Sequence, residues 1–461
     1  MLDPENQFFD KENSSKKRWV SRSLAGILLI ALLCGVVSAP LAIYIRWQRD
    51  QSSQSNELRP AVKAPDTNSE SFDGNRIAFI DTDDQLVTIA PNGSNRIELT
   101  NDDKKYLFPA WSPNGRALAV VGDDSLYLYP DIDEDSVNNR VVRLYSSPSE
   151  PPFYLYWSPD SQQLSFLANH PQGIALLLSS LNEGDSRQLA VGQPFYWDWS
   201  PESDQILIHT GTVDEDSSLA VLDASGAQKI KAVANPGRFQ APGVSPSGLQ
   251  WAYAERTSQG ISRIVVQGSD EELLLIEPHS GQAYMTWSPV EDNLAFASPA
   301  IGSRSRFGSL RLFEVGTGKT RTIVNEQVVA FFWSPDGSKI AYLTLAEPAP
   351  GGIQALDGNK GRLARRIRDQ HPEIELNLQI VDIKSREIKW LTTFRPPATY
   401  VTQFLPYFDQ YALSHLVWSP DGEYLILPMI KGEREVISII TVSDGSVSEL
   451  AEGKIGFWRP G

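Results

Sequence analysis

The stretch that decides the fold is FFWSPDG, from Phe331 to Gly337. An apolar run ends at Trp333, and Ser-Pro-Asp-Gly follows. Proline presets φ for a turn position, and glycine takes backbone conformations that other residues avoid. Because proline has no N–H, it must lie where the hydrogen-bonded ladder of a strand has ended. The stretch therefore predicts a β-strand that runs into a tight turn.

The same pattern recurs along the chain. Further copies read FPAWSPNG, YLYWSPDS, YWDWSPES, YMTWSPVE and HLVWSPDG; APGVSPSG has Val244 in place of tryptophan, and IGFWRPG is a divergent copy at the end. Because so many copies cannot each be an active site, we interpret their tryptophans as structural wedges between neighbouring sheets. The repeat tryptophans are Trp111, Trp157, Trp199, Trp287, Trp333, Trp418 and Trp458.

The spacing of the copies indicates the architecture. All intervals but one lie between 40 and 46 residues, and the interval after Trp333 is 85 residues. A period of about 40–45 residues is typical of one four-stranded propeller blade. Each interval contains short β-rich runs separated by turn residues, as in LQIVDIKSREIKWLT from Leu378 to Thr392. The sequence therefore predicts an all-β propeller.

The two ends of the repeat array complement each other. NRIAFI, QLVTIA and NRIELT, between residues 75 and 100, supply three strands and lack an innermost one, whereas GKIGFWRPG supplies only an innermost strand. We therefore expect the C-terminal strand to pair inside the first blade. This predicts eight four-stranded blades; seven is the alternative if one weak unit does not fold as a blade.

The repeat resembles that of a known family. The pattern W-S-P-D-G-x-x-[IL]-A-[FY], followed by a strand and x-x-L-T, is similar to the propeller repeat of TolB-like proteins and of propellers attached to prolyl-oligopeptidase-type peptidases. The resemblance covers residues 74–461 and implies a binding or scaffolding propeller. The periplasmic family member has a small α/β domain ahead of its propeller, whereas we expect this chain to have a membrane span and a tether there instead. Its role in a Tol–Pal complex is therefore not carried over.

The N-terminal residues predict a membrane anchor. Residues 24–45 form an uncharged run of 22 residues, which would span about 33 Å as a helix and so cross a bilayer core. Five Lys or Arg residues precede this run and three follow it closely, which favours a cytosolic tail at 1–23 and an extracytoplasmic propeller. Residues 46–73 are predicted to be a flexible tether. The alternative is a signal peptide cleaved after Ala39.

Composition and motifs argue against several function classes. The net charge of −16 disfavours nucleic-acid binding, and a single cysteine, Cys34, excludes an intrachain disulfide or a cysteine-rich metal site. GVSPSG, Gly243 to Gly248, has the wrong spacing for a nucleophile elbow, so we expect neither an enzyme nor a cofactor. The acidic runs at 81–85 and 131–136 are interpreted as solvated turns rather than calcium sites. Five histidines without metal-ligand spacing are interpreted as surface or packing residues: His170, His209, His279, His371 and His415.

The double-length interval contains two insertions, at about 346–375 and 394–413. The alternation of strand directions predicts that both lie on one face of the propeller, opposite the Ser-Pro-Asp-Gly turns. We consider a partner-binding platform and, as the alternative, a packed flap with a solvated basic loop. The first insertion carries Lys360, Arg362, Arg365, Arg366 and Arg368. The second carries Tyr400, Phe404, Tyr407, Phe408 and Tyr411.

These features together predict a single-pass membrane protein whose propeller scaffolds or senses a protein partner in the cell envelope. A glycan- or peptide-binding receptor that uses the propeller face or channel is the alternative. A hydrolase with a site assembled in the channel is the third hypothesis. The sequence identifies no small ligand.

Overall fold

A computed structural model describes residues 75–461, apart from 133–140, 182–185, 212–216, 226–230, 238–239, 281–282, 304, 306 and 347–373. The predicted tail, membrane span and tether lie outside the described residues, as do the five basic residues of the first insertion. In the described part of the chain, no helix is long and apolar enough to cross a membrane.

The described chain is built almost wholly of short β-strands, which alternate with turns. Those of the N-terminal half are β1 Ile77–Ile80, β2 Leu86–Ile89, β3 Ile97–Glu98, β4 Tyr106–Trp111, β5 Leu118–Gly122, β6 Ser125–Tyr129, β7 Val142–Ser146, β8 Pro152–Trp157, β9 Gln163–His170, β10 Gly173–Ser180, β11 Ser186–Gly192, β12 Phe195–Trp199, β13 Gln205–Thr210, β14 Ser218–Asp223 and β15 Lys231–Ala234.

The C-terminal half continues in the same way. Its strands are β16 Gly243–Val244, β17 Gln250–Arg256, β18 Ser262–Gly268, β19 Leu273–His279, β20 Tyr284–Trp287, β21 Asn293–Ala297, β22 Gly308–Glu314, β23 Lys319–Trp333, β24 Lys339–Leu345, β25 Leu376–Asp382, β26 Ile388–Phe394, β27 Tyr424–Lys431, β28 Arg434–Thr441, β29 Val447–Glu452 and β30 Ile455–Trp458.

Most of these strands form four-stranded antiparallel sheets in chain order, which is the arrangement of propeller blades. Four sheets follow this rule: β4 to β7, β8 to β11, β12 to β15 and β16 to β19. Strands β20 to β26 form one seven-stranded sheet, because the 15-residue strand β23 pairs with β22 through its first half and with β24 through its second half. Strands β27 to β29 form a three-stranded sheet, which Trp418 extends by an isolated bridge to Leu425.

The first sheet joins the two ends of the described chain. Its order is β3-β2-β1-β30, and its register places Ile77 opposite Trp458 and Ile80 opposite Ile455. The ammonium group of Lys454 also forms an ion pair with the Asp84 carboxylate. The pairing of the C-terminal strand with the first strands, predicted from the complementary ends, is therefore present.

Six of the repeat turns are held by their serine, whose hydroxyl accepts the N–H of the residue five positions later. The hydroxyl of Ser334 donates to the Asp336 carboxylate at 2.6 Å and accepts the N–H of Lys339 at 2.9 Å, and Ser419 makes the same bond to the N–H of Tyr424. Gly337 has a φ of +68°, which glycine adopts at little steric cost. The Ser-Pro-Asp-Gly pattern is thus explained by local turn chemistry.

Three of the repeat tryptophans link consecutive units through the same hydrogen bond. The indole N–H of Trp157 donates to the carbonyl of Ala110 at 3.0 Å, and that of Trp418 donates to the carbonyl of Phe332 at 3.0 Å. In both cases the acceptor directly precedes the tryptophan of the preceding copy. Trp333 follows the same rule with Thr286 at 3.2 Å. In these three copies one side chain fills the seam between units and hydrogen-bonds across it, whereas the indole N–H groups of Trp111, Trp287 and Trp458 have no hydrogen-bond partner among the described residues.

Candidate functional site

The second insertion forms a compact helical segment between β26 and Trp418. It contains a π-helical turn at Tyr400–Phe404, a 3₁₀ turn at Leu405–Tyr407 and the short helix α1 at Phe408–Tyr411. Tyr400, Phe404, Phe408 and Tyr411 follow one another at helical spacing, so they share one apolar face. We call residues 398–415 the central segment.

Aromatic side chains of the central segment contact inner strands of several sheets. Ring centroids of Tyr411 lie 4.8 Å from Phe108 of β4 and 4.8 Å from Tyr154 of β8. Tyr407 contacts Tyr196 of β12 at 6.2 Å. The segment therefore lies where these inner strands converge.

The other side of the segment is packed in the same way. The Phe408 ring lies 4.9 Å from Tyr284 of β20 and 5.3 Å from Phe331 of β23. Phe404 stacks on Tyr400 at 4.9 Å and on Phe457 of β30 at 6.0 Å. Together these contacts place the segment in the centre of the sheet array, with strands from six sequence regions around it.

Gln410 anchors the segment to β12. Its amide nitrogen donates to the carbonyl of Trp197 at 2.9 Å, and the N–H of Trp197 donates to its amide oxygen at 2.9 Å. The hydroxyl of Tyr154 also donates to the backbone carbonyl of Gln410 at 2.9 Å. The buried amide thus satisfies both backbone groups of Trp197, as a neighbouring strand would.

His415 is the last residue of the central segment, and its side chain is neutral. Its Nδ1 lies 2.6 Å from the hydroxyl of Ser414, and its Nε2 lies 3.3 Å from the carbonyl of Phe108. Burial lowers the pKa of His415 to about 4, although the hydrogen bonds to Phe108 and Tyr411 oppose this shift. This arrangement fits the packing interpretation of the histidine.

Two buried carboxyl groups lie in this region, and their hydrogen bonding differs. Asp198 of β12 accepts bonds from the Tyr156 hydroxyl at 3.0 Å and from the N–H groups of Trp199 and Val244, each at 2.9 Å. Burial raises the pKa of Asp198 to about 6, and these bonds oppose the rise. Asp198 therefore ties β12 to β8 and β16.

The carboxyl group of Asp409 accepts fewer hydrogen bonds than that of Asp198. Its Oδ1 accepts the N–H of Gln410 at 3.1 Å, whereas its Oδ2 has no hydrogen-bond partner among the described residues. Asp409 is only 1 % exposed. Burial raises the pKa of Asp409 to about 7, against the lowering effect of the N–H groups of Ala241 and Gln410. A carboxyl group in this position is most stable when it is protonated.

The predicted site residues have different surroundings. Tyr400, Phe404, Phe408 and Tyr411 are buried, and Tyr407 is partly exposed. Their contacts fit the packed-flap alternative, while their role in partner binding stays a prediction. Lys360, Arg362, Arg365, Arg366 and Arg368 lie outside the described residues. Within the described chain, no group of three or more His, Cys, Asp or Glu side chains could hold a metal ion.

Sequence reasoning missed the polar residues of the centre: Asp409, Gln410, Asp198 and Trp197. A signal was present for the first two, because they interrupt an aromatic face of helical spacing in FLPYFDQYAL. The helical period was not recognised inside an array of strands. Asp198 also carried a signal, because it directly precedes the repeat tryptophan Trp199 at a position where the other tryptophan copies have uncharged residues.

Comparisons with known proteins define only the class of fold. No family model and no curated protein matches this chain. Among solved structures, the dihydro-heme d1 dehydrogenase NirN in complex with DHE is 14% identical, with a TM-score of 0.52 over 83% of this chain and 75% of its own. A eukaryotic initiation factor is 12% identical, with a TM-score of 0.51 over 84% of this chain and 98% of its own.

TolB from Acinetobacter baumannii is also among the structural neighbours. It is 14% identical and has a TM-score of 0.39 over 82% of this chain and 79% of its own. Likeness at these identities concerns the fold alone, and the neighbours include both enzymes and non-enzymes. The chain is therefore an all-β protein of antiparallel four-stranded sheets, consistent with a β-propeller.

Proposed function

We propose that this protein is a membrane-anchored, extracytoplasmic, TolB-like β-propeller that scaffolds or senses a protein partner in the cell envelope. We count eight blades, because the seven-stranded sheet divides at β23 into two units and the remaining six sheets contribute one each. The uncharged run at residues 24–45 supports the membrane anchor.

The observation that supports this role is the filled centre of the array. Phe404, Phe408 and Tyr411 are buried among inner strands, and Gln410 is bonded to β12. Ligand binding in propellers commonly uses the centre, but here the chain's own side chains occupy it. Outer surfaces and long loops are then the parts available to a partner.

The first insertion is the loop that we assign to partner binding. It leaves the sheet after Leu345 and returns at Leu376, and these two residues are paired across β24 and β25. The N–H of Ala346 also donates to the carbonyl of Glu375 at 3.0 Å. Since the ladder closes at the base of the insertion, residues 350–372 can be shortened without removing a described strand pair.

Replacing residues 350–372 by a short Gly-Ser linker in the full-length protein tests the proposal. We expect loss of a stoichiometric partner that is crosslinked in membranes and co-purifies in detergent, with a change in Tm below about 2 °C, because surface changes away from packed groups alter stability little. A matched control keeps the loop length and replaces the five basic residues by glutamine. It should weaken capture if their charge contributes to binding.

Two outcomes would contradict the proposal that the first insertion binds a scaffolded partner. One is retention of the partner by the shortened loop, and the other is glycan or extended-peptide binding by the purified protein without any protein partner. The second outcome would favour the receptor alternative. A sharp fall in Tm would show that the loop is structural instead.

A further inference from the structure

We propose that docking of the central segment is proton-linked: residues 398–415 pack into the centre while Asp409 is protonated, and the segment is released when this carboxyl group ionises. The inference goes beyond the scaffold role and does not depend on it, because release can be measured without a partner.

The geometry around Asp409 carries the proposal. Its Oδ2 is buried and has no hydrogen-bond partner among the described residues, while Oδ1 accepts the N–H of Gln410 from its own helix, and outside the segment the N–H of Ala241 also lowers the pKa of Asp409. The flanking residue Phe408 is fully buried among aromatic rings of β20 and β23. An ionised carboxylate in such surroundings is costly, because Oδ2 is buried and no described group donates a hydrogen bond to it.

The neighbouring elements bring no compensating positive charge. The titratable groups that interact with Asp409 are Tyr154 of β8 and Tyr196 of β12, whose own pKa values are raised by burial and then by nearby carboxylates. Tyr284 of β20 packs on Phe408, the residue before Asp409. Two phenylalanines of β23 also pack on Phe408. Within the segment, the other titratable groups are Tyr400, Tyr407, Tyr411 and the neutral His415, so none of them supplies a positive charge. No described Lys or Arg contributes to the pKa of Asp409.

Comparison with Asp198, the second buried carboxyl group, shows which kind of hydrogen bonding Asp409 lacks. Asp198 lies on β12, which the segment contacts, yet both of its oxygens accept hydrogen bonds from groups of the surrounding strands. Ionised Asp198 is therefore supported by donors that stay in place whether or not the segment is docked. Ionised Asp409 has less support, because the N–H groups of Ala241 and Gln410 only partly oppose the rise of its pKa and its Oδ2 accepts no hydrogen bond among the described residues. The segment that carries it is a connection between sheets.

Release of the segment would leave the sheets paired. Residues 398–415 contribute no strand to any sheet, and the neighbouring bridge at Trp418 lies beyond the segment. Among the described residues, the hydrogen bonds that must open are few: the two between Gln410 and Trp197, the Tyr154 contacts, and the contact of His415 with Phe108. The segment can therefore leave the centre without breaking a sheet, since apolar packing and a small number of polar contacts hold it in place.

The direction of the pH effect follows from linkage. Burial raises the pKa of Asp409 from 3.8 to about 7 in the docked state, whereas an exposed aspartate keeps a pKa near its usual value of about 3.9. The released state therefore loses its proton at lower pH. Docking is most favourable below about pH 4 and weakens about tenfold per pH unit until pH reaches about 7, where the dependence levels off.

Hydrogen exchange on the full-length protein in detergent, followed by mass spectrometry, measures this equilibrium. After correction for intrinsic exchange, we expect protection of amides in residues 398–415 to fall roughly 50-fold between pH 5 and pH 7. Strand β24, Lys339–Leu345, serves as the internal reference, and its protection should change much less. The comparison within the wild-type protein does not require any variant to fold.

Asp409→Asn supplies the matched variant, since the amide keeps the size of the side chain and removes its titration. In Asp409→Asn, protection of the segment should lose most of its dependence on pH, while Asp198→Asn should retain the wild-type dependence. Equal pH dependence in the wild type and Asp409→Asn would overturn the proposal. Constant protection of the wild-type segment between pH 5 and pH 7 would overturn it as well.

Discussion

At the scale of single residues, the repeat tryptophans Trp157, Trp333 and Trp418 each have two roles in one side chain. Trp418 fills the seam with the preceding unit and donates its indole N–H to the carbonyl of Phe332. The acceptors Ala110, Thr286 and Phe332 lie at equivalent positions of their copies, so the same bond is made in these three cases. A buried carbonyl that loses such a donor is expensive.

Trp418→Phe separates these two contributions. The phenyl ring keeps part of the apolar contact but leaves the Phe332 carbonyl without its donor, so we expect a loss of about 1–3 kcal/mol in the free energy of unfolding. Trp418→Ala should cost about 3–5 kcal/mol, because it also opens a cavity. Urea unfolding followed by circular dichroism measures both.

Trp390→Ala is the control, since this tryptophan lies on an outer strand and is 58% exposed. Its loss should change the free energy of unfolding by less than about 0.5 kcal/mol. If the two alanine variants lose equal stability, the seam role of the repeat tryptophans is wrong.

At the scale of elements, the central segment depends on Gln410 for its position. Aromatic packing supplies most of its buried area, but apolar contacts have little directional preference. The two bonds to the backbone of Trp197 specify which strand the segment faces and at what height along it. A buried polar pair of this kind fixes one arrangement among several that would bury similar area.

Gln410→Leu tests this role. The leucine preserves volume but leaves the N–H and carbonyl of Trp197 unsatisfied, so we expect a loss of about 2–4 kcal/mol in the free energy of unfolding. Amides of residues 398–415 should also exchange faster.

Thr402→Ala, in the same segment, is the matched control. The Thr402 hydroxyl is exposed and bonds only to the carbonyl of Ala398 at 2.8 Å, so the change should cost less than about 0.5 kcal/mol. An unchanged exchange pattern in Gln410→Leu would show that packing alone positions the segment.

At the scale of the whole molecule, the pairing of β30 with β1 joins residues far apart in sequence. It removes a free edge from the first sheet, and Trp458 also forms an isolated bridge to Leu416 beside the last sheet. Unpaired strand edges weaken a sheet array and favour association with other chains.

Ending the chain at residue 454 removes β30 and exposes the edge of β1. We expect a lower and less cooperative unfolding transition, together with concentration-dependent association in analytical ultracentrifugation. A chain that ends at residue 460 keeps β30 and should behave as the wild type. A monomeric, cooperatively unfolding protein that lacks residues 455–461 would contradict a closure role for this strand.

Much of the fold could be predicted from the sequence, because its causes are local and repeated. The turn chemistry around Ser334 and Pro335 depends on neighbouring residues only, and it recurs often enough to define a period. The complementary ends then indicated the pairing of β30 with β1. The centre was less predictable, since the aromatic residues after Phe394 looked equally suited to an exposed platform and to a packed flap.

What the sequence by itself determined is the repeated unit: strand, tryptophan, turn and strand, at a nearly constant period. Local backbone preferences and alternating burial depend on only a few neighbouring residues, so they can be inferred from the repeated sequence pattern. Only the tertiary structure decided that Phe404, Phe408 and Tyr411 point inward and that Gln410 meets Trp197 more than 200 residues away along the chain. It also decided that Asp409 is buried without a partner for Oδ2, because burial and the pKa that follows from it depend on strands brought together from the whole array.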